Sequence, residues 1–155
     1  MTKSDSASRV IATNRKAFFN YQILDRVEAG ICLLGTEIKS IREGGLSFSD
    51  SYVDLQDGEL ILVGLRVAPY SHGNIENHAE NRPRKLLLHR REIKKLGTRL
   101  TERGQTMVPL KAYFRNGRVK LELGLGRGKK SHDKRESIRR RDIERETRRA
   151  LRQRG

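Results

Sequence analysis

Met107-Val108-Pro109-Leu110-Lys111-Ala112-Tyr113-Phe114, then Arg115-Asn116-Gly117, then Arg118-Val119-Lys120-Leu121-Glu122-Leu123 reads as two strands joined by a tight turn. Leu110, Ala112 and Phe114 are expected to face one way, with Val119, Leu121 and Leu123 answering them, while Asn116-Gly117 supplies the left-handed backbone of a short hairpin loop. A second hairpin is predicted where Tyr52-Val53-Asp54-Leu55 and Glu59-Leu60-Ile61-Leu62-Val63 flank Asp57-Gly58. Further back, Phe19, Tyr21 and Ile23 alternate with Asn20 and Gln22, and the alternation resumes at Val27, Ala29, Ile31 and Leu33. One long curved strand, bulged near Leu24-Asp25-Arg26, accounts for both runs. With strands outnumbering helices and hairpins as connectors, a domain of about 110 residues must hide its sheet edges. The expected fold is mainly β: a small closed or nearly closed barrel with two or three helices covering an end or a seam.

The helices are placed by period and punctuation. Gly35-Thr36-Glu37 reads as a start, with Ile38 and Ile41 on one face and Gly44-Gly45 as the stop. Downstream of the Leu86-Leu87-Leu88 run, Ile93, Leu96 and Leu100 recur at helical spacing, with Arg90, Arg91, Lys94, Lys95 and Arg99 on the other faces and an end by Gly104. His89, with Glu92 three residues on, is expected to cap this helix. The polar stretch Tyr70 to Arg84 reads as a long loop, of the kind that is usually functional.

Charge divides the chain. Of 155 residues, 34 are basic and 19 acidic, a net charge of +15. Residues 127–155 hold thirteen lysines and arginines against five acids, and their apolar residues, Ile138, Ile143, Ala150 and Leu151, are too sparse for a core-facing stripe. Lys129 to Arg154 contains no Gly or Pro, so this tail is read as disordered when free and helical once phosphates neutralise its arginines. The expected organisation is a disordered lead-in at 1–12, the barrel at 13–126 and the basic tail at 127–155.

An excess of positive charge of this size suits nucleic acid first; an anionic membrane is the weaker partner, because no apolar run approaches bilayer length. Cys32 is the sole cysteine, which excludes an internal disulfide and a thiolate metal cluster and fits a reducing cytoplasm. His72, His78, His89 and His132 are scattered without metal-ligand spacing. Gly124-Leu125-Gly126-Arg127-Gly128-Lys129-Lys130 fails the Walker spacing, and its glycines are read as ending the last strand and freeing the tail. Acids such as Glu37, Glu43, Asp50 and Asp54 carry no feature that separates them from surface acids. No catalytic constellation, cofactor site, metal site or small-molecule substrate is expected.

Glu28 is left with two readings: an acceptor for a nucleobase amine, or one half of an internal ion pair. The phosphate grip is assigned to Lys85, Arg90, Arg91, Lys94 and the tail arginines, with Arg15, Lys16, Lys129 and Lys130 also expected to bind RNA.

Six motifs occur in order: Asn14-Arg15-Lys16-Ala17, Glu28-Ala29-Gly30-Ile31, Gly35-Thr36-Glu37-Ile38-Lys39-Ser40, Ser49-Asp50-Ser51-Tyr52, Arg84-Lys85-Leu86-Leu87-Leu88 and Gly128-Lys129-Lys130-Ser131-His132-Asp133-Lys134-Arg135. In this order they resemble the SsrA-binding protein family, also called small protein B. The resemblance implies an oligonucleotide-binding (OB-like) barrel, monomeric and cytoplasmic. It also implies a bacterial factor that binds the tRNA-like domain of transfer-messenger RNA and takes it to stalled ribosomes for trans-translation. It places Asn14, Tyr21, Glu28 and Leu87 on the RNA-binding face. His132, Asp133, Lys134, Arg135, Arg139 and Arg140 fall in a segment that occupies the empty messenger channel at the decoding centre, with His132 stacking on a ribosomal base. Two rivals from other classes are a structural ribosomal protein and a nucleic-acid-processing enzyme.

Overall fold

The computed structural model describes residues 9–71, 77–101, 105–129, 139 and 141–149. In chain order the elements are β1 (Arg9–Thr13), α1 (Arg15–Asn20), β2 (Tyr21–Ile31), α2 (Gly35–Arg42), β3 (Leu46–Ser47), β4 (Tyr52–Gln56), β5 (Glu59–Val63), β6 (Arg66–Val67), β7 (Arg84–Leu87), α3 (Arg90–Leu100), β8 (Gln105–Arg115) and β9 (Arg118–Gly128). Both hairpins form as their turn residues demand. Asn116 and Gly117 take φ of 52° and 75°, and Asp57 and Gly58 take 50° and 76°, the paired left-handed conformations that match strand twist.

The wall runs β8, β4, β5, β7, β2, β9 and back to β8, every pairing antiparallel, so the sheet closes on itself. Closure leaves no open edge along this ring, which is what a small, mainly β domain requires. Inside lie Ala29, Leu60, Leu62, Leu86, Met107, Ala112, Leu121 and Leu123, all buried. Ile93, Leu96 and Leu100 of α3 pack against the same core, and Ile41 adds to it from α2.

Four expectations change. Residues 9–12, expected in the disordered lead-in, belong to β1, which pairs with residues 111–114 of β8, and Ile11 and Ala12 pack on the core. The single curved strand is a helix followed by a strand, since α1 runs to Asn20 and β2 begins at Tyr21; the bulge near Asp25 is present, between Ile23 and Asp25. Leu110 does not share a face with Ala112. A bulge between Pro109 and Lys111 turns it outward, into a second apolar cluster with Val108 and Ala17 under α1.

The fourth change concerns the glycines. Gly124 and Gly126 lie within β9, which is paired on both sides and runs to Gly128, two residues past the expected end of the body. They make room. A Cβ on Gly124 would stand 2.7 Å from Leu110 Cδ1, and one on Gly126 would stand 2.6 Å from the Gln22 carbonyl oxygen. Gly124→Val is therefore expected to lose about 1–3 kcal/mol by overpacking. Urea denaturation measures it, and an unchanged midpoint would show that Leu110 has room to retreat.

Candidate nucleic-acid interface

Strand alternation and register decide which side chains reach the outside of the barrel. Leu87 on β7 pairs with Gly30 on β2, Gly30 with Lys120 on β9, and Lys120 with Tyr113 on β8. One step along, Glu28 pairs with Glu122, and Glu122 with Lys111. Because Ala29, Leu121 and Ala112 point inward, these two rows form the outer surface of four neighbouring strands. Leu87 is 50% exposed whereas Leu86 is in the core, so the triple-leucine run divides by strand alternation. Gly30 is closely approached: a Cβ there would lie 3.2 Å from Leu87 Cβ, a tight contact, and 3.7 Å from Lys120 Nζ, an ordinary one. Glu28, Gly30, Leu87, His89, Glu92 and Lys120 line one hollow of about 530 Å³.

Glu28 is held in place. Tyr113 donates its hydroxyl to Glu28 Oε2, and Arg115 Nη1 donates to the same oxygen at 2.7 Å. Glu28 is thus one half of an internal ion pair, made through Oε2. The Arg115 guanidinium also lies over the Tyr113 ring, 5.3 Å from its centre. Burial, then the bond to Glu28, pushes the Tyr113 phenol well above its ordinary value, so it stays a donor at every physiological pH. Sequence reasoning misses Arg115 and Lys120 as site residues, and weighs Tyr113 only as a base-stacking ring, not as a partner of Glu28. The bonds from Tyr113 and Arg115 to Glu28 span more than eighty residues, and no local pattern announces them.

Asn14 and Tyr21 sit elsewhere. Asn14 is buried at the start of α1, where its Nδ2 donates to the Pro109 carbonyl at 2.8 Å and its Oδ1 accepts from the Ala17 amide at 3.3 Å. Its own amide donates to the Leu110 carbonyl at 2.7 Å. So Asn14 seats α1 on the β8 bulge, with both ends of its side chain engaged internally. Tyr21 shares a small hollow of about 160 Å³ with Asn14, Lys16 and Tyr52. Lys16 is paired with Asp50 at 2.5 Å and Lys85 with Glu59 at 3.0 Å, which partly neutralises both cations. Arg15, Arg90, Arg91 and Lys94 are exposed and make no ion pair among the described residues. His89 stands at the N-cap of α3, but its side chain makes no capping bond; its carbonyl accepts from the Ile93 amide.

Arg90 and Lys94 flank a larger hollow of about 880 Å³ whose floor includes Leu55, Leu86, Leu87 and Ile93. The tail leaves the barrel beside α1, where the Lys129 amide donates to the Asn20 carbonyl. Residues 139 and 141–149 are helical in the chain alone, where helix was expected only upon RNA binding, and Arg141 lies over the Phe19 ring of α1 at 5.5 Å. Arg139 is exposed. Lys130, His132, Asp133, Lys134, Arg135 and Arg140 lie outside the described residues.

Glu37, read as an ordinary surface acid, is fully buried. Its Oε2 accepts from Arg84 Nε at 2.6 Å and its Oε1 from Arg82 Nη2 at 2.6 Å and the Leu34 amide at 2.8 Å. Arg84, also fully buried, donates onward to the Leu65 and Glu80 carbonyls. Burial alone would raise the Glu37 carboxyl, but the bonds from Arg82, Leu34 and Arg84 outweigh it and hold it below its ordinary value. This pair ties α2 to the segment that launches β7, and so sets the strand that presents Leu87. Among the described residues no group of three or more His, Cys, Asp or Glu is placed to hold a metal ion, and no helix is long and apolar enough to cross a membrane.

A closed antiparallel barrel, a basic outer flank and a basic helical extension together define a nucleic-acid-binding barrel of the OB-like class. The sequence profile described as SmpB protein matches residues 11–153. The chain belongs to the SmpB family. It is 52% identical over 149 residues to the SsrA-binding protein of Oleidesulfovibrio alaskensis, covering 96% of each chain. It is 54% identical over 149 residues to that of Corynebacterium efficiens, covering 96% of this chain and 91% of the relative. A solved structure described as "tmRNA-SmpB: a journey to the center of the bacterial ribosome" superposes with a TM-score of 0.68 and 46% identity, over 83% of this chain and 94% of that one.

Proposed function

We propose that the protein is an RNA-binding adaptor of trans-translation that grips the tRNA-like domain of a transfer-messenger RNA and delivers it to stalled ribosomes in the cytoplasm. The outer barrel face and α3 form the grip. The tail, including His132, Asp133, Lys134, Arg135, Arg139 and Arg140, enters the empty messenger channel and meets the decoding centre. Arg15, Arg90, Arg91, Lys129 and Lys130 supply phosphate contacts, with Lys16 and Lys85 contributing once their acidic partners yield. The role is recognition and delivery by a monomer, without bond-making chemistry, cofactor or small-molecule substrate.

The observation that carries this reading is the exposed Leu87, held beside the oriented carboxylate of Glu28 on a face flanked by Arg90, Arg91 and Lys94, which have no acidic partner among the described residues. An apolar contact plus one placed acceptor gives specificity, and the cations give salt-dependent affinity. Fluorescence anisotropy with a tRNA-like RNA, between about 50 and 200 mM salt, tests it. Leu87→Ala is expected to weaken binding roughly tenfold with an unchanged salt slope. Arg90→Gln is expected to make the slope shallower by about one. Equal affinity for an unrelated RNA hairpin would remove the reading.

A further inference from the structure

β1 stands outside the closed ring. It is the terminal strand of its sheet and pairs with β8 on one side only. In an antiparallel ladder successive residues alternate between bonding the neighbour and turning away from it, so part of the β1 backbone offers its N–H and C=O groups to the free side. No described residue takes them up. Beside this edge lies a hollow of about 430 Å³, bounded by β1, the C-terminal end of α2 and the turn between β8 and β9. Ile11, Ile41 and Phe114 give it apolar walls, Arg9 and Arg42 are exposed at its rim, and no acidic residue lines it. The Arg42 guanidinium lies over the Phe114 ring, 5.9 Å from its centre. Neither arginine makes an ion pair among the described residues. Arg9 pairs with Phe114 and Val10 with Tyr113, so Arg9 lies on the side of the sheet opposite Tyr113 and its partner Glu28.

We propose that this edge and hollow are a docking site for an extended acidic segment of a partner protein, which joins β1 as an added strand. The backbone of the segment takes up the free N–H and C=O groups, an apolar side chain enters the hollow, and flanking carboxylates meet Arg9 and Arg42. Charge selects this occupant. The chain carries +15, and a second copy would set Arg9 against another basic edge. A charged residue and a bulge, here between Val10 and Ala12, are the devices that keep an edge strand from pairing with its like. The same arginine attracts an acidic strand. RNA phosphates suit the two arginines, but an RNA backbone has no alternating N–H and C=O groups with which to continue a sheet, and it leaves the apolar hollow unfilled. The site is separate from the RNA grip proposed above and adds a protein partner to the adaptor.

The test uses the full-length protein and a fluorescein-labelled peptide whose odd positions alternate aspartate and valine and whose even positions are serine. Strand side chains alternate, so the aspartates and valines share the side that meets the hollow. One control peptide has lysine for aspartate; the other has proline at a central serine, which deletes a backbone donor. Fluorescence anisotropy is expected to show the aspartate peptide binding at least about tenfold more tightly than either control. Hydrogen exchange is expected to slow at the amides of residues 9–13 when it binds. Arg9→Glu and Arg42→Glu are each expected to weaken the peptide by about tenfold, with the melting temperature unchanged, while Arg9→Lys keeps the binding. Equal binding of the lysine or proline peptide overturns the inference, and so does binding without slowed exchange at residues 9–13. If the edge amides are already slow in the free protein, the chain itself covers them, or a second copy does where the protection fades on dilution; either result overturns the partner reading. A tRNA-like RNA that slows the same amides and is weakened by Arg9→Glu assigns the arginines to phosphate and overturns it too.

Discussion

Arg84→Met is expected to lower the unfolding free energy by about 3–5 kcal/mol, roughly a fifth or more of the stability of an ordinary domain. The mechanism is a stranded charge. Arg84 and Glu37 are both fully buried, and removing the guanidinium leaves the Glu37 carboxylate with Arg82 and the Leu34 amide alone, in a place water does not reach. The Leu65 and Glu80 carbonyls are deprived of their donors as well. Glu37→Gln is expected to cost a comparable amount from the other side. Because the two residues form one unit, the double variant should lose less than the sum of the single changes. Chemical denaturation of the four proteins gives the cycle, and additive losses would show that the pair is not coupled.

The same pair makes a pH statement. The folded-state pKa of Glu37 lies below its ordinary value of 4.5, so on acidification the unfolded chain takes up the proton first. The contribution of Glu37 is therefore complete above about pH 4.5 and is lost as pH falls through the lower folded-state value. Glu37→Gln should flatten that part of the acid limb. Functionally, a loosened Arg84 releases the start of β7 and with it Leu87, so RNA affinity should fall together with stability.

A chain ending at Lys129 is expected to retain its melting temperature and its grip on tRNA-like RNA, yet to support essentially no peptide tagging on stalled ribosomes. The cut lies beyond β9, whose Arg127 and Gly128 pair with Gln22 and Tyr21, and it keeps the amide bond from Lys129 to Asn20. The cut does remove Arg141 from the Phe19 ring, a surface cation–π pair worth about 0.5–1 kcal/mol. In vitro translation on a truncated message, with tagging read by gel, separates the two roles. If truncation abolishes RNA binding as well, the tail is the main phosphate clamp and the division between body and tail is wrong.

What was legible in the sequence was what short-range chemistry decides. Asn116-Gly117 and Asp57-Gly58 specify their turns because few other residue pairs adopt positive φ twice in succession. The spacing of Ile93, Leu96 and Leu100 marks α3, and the arginine-rich composition marks the tail, without knowledge of any partner. The motif order from Asn14 to Arg135 carried the family. Where local pattern misleads, the deciding neighbour is distant. Gly124 is a glycine because Leu110, turned outward by a bulge, fills the space its side chain would need. Glu37 is a buried partner of Arg84 because the first residue of β7, 47 positions further along the chain, is brought against it.

The candidate site divides the same way. Sequence by itself determined that the chain is a basic, mainly β, RNA-binding body with a charged extension, since turn propensity, alternation and charge are properties of neighbouring residues. Only the tertiary structure decided that Asn14 seats a helix on the barrel wall, that Leu87 faces out while Leu86 faces in, and that Tyr113 and Arg115 hold Glu28. Those relations exist only once the barrel closes and brings strands from both ends of the chain into register, and closure depends on pairings that no local window of sequence contains.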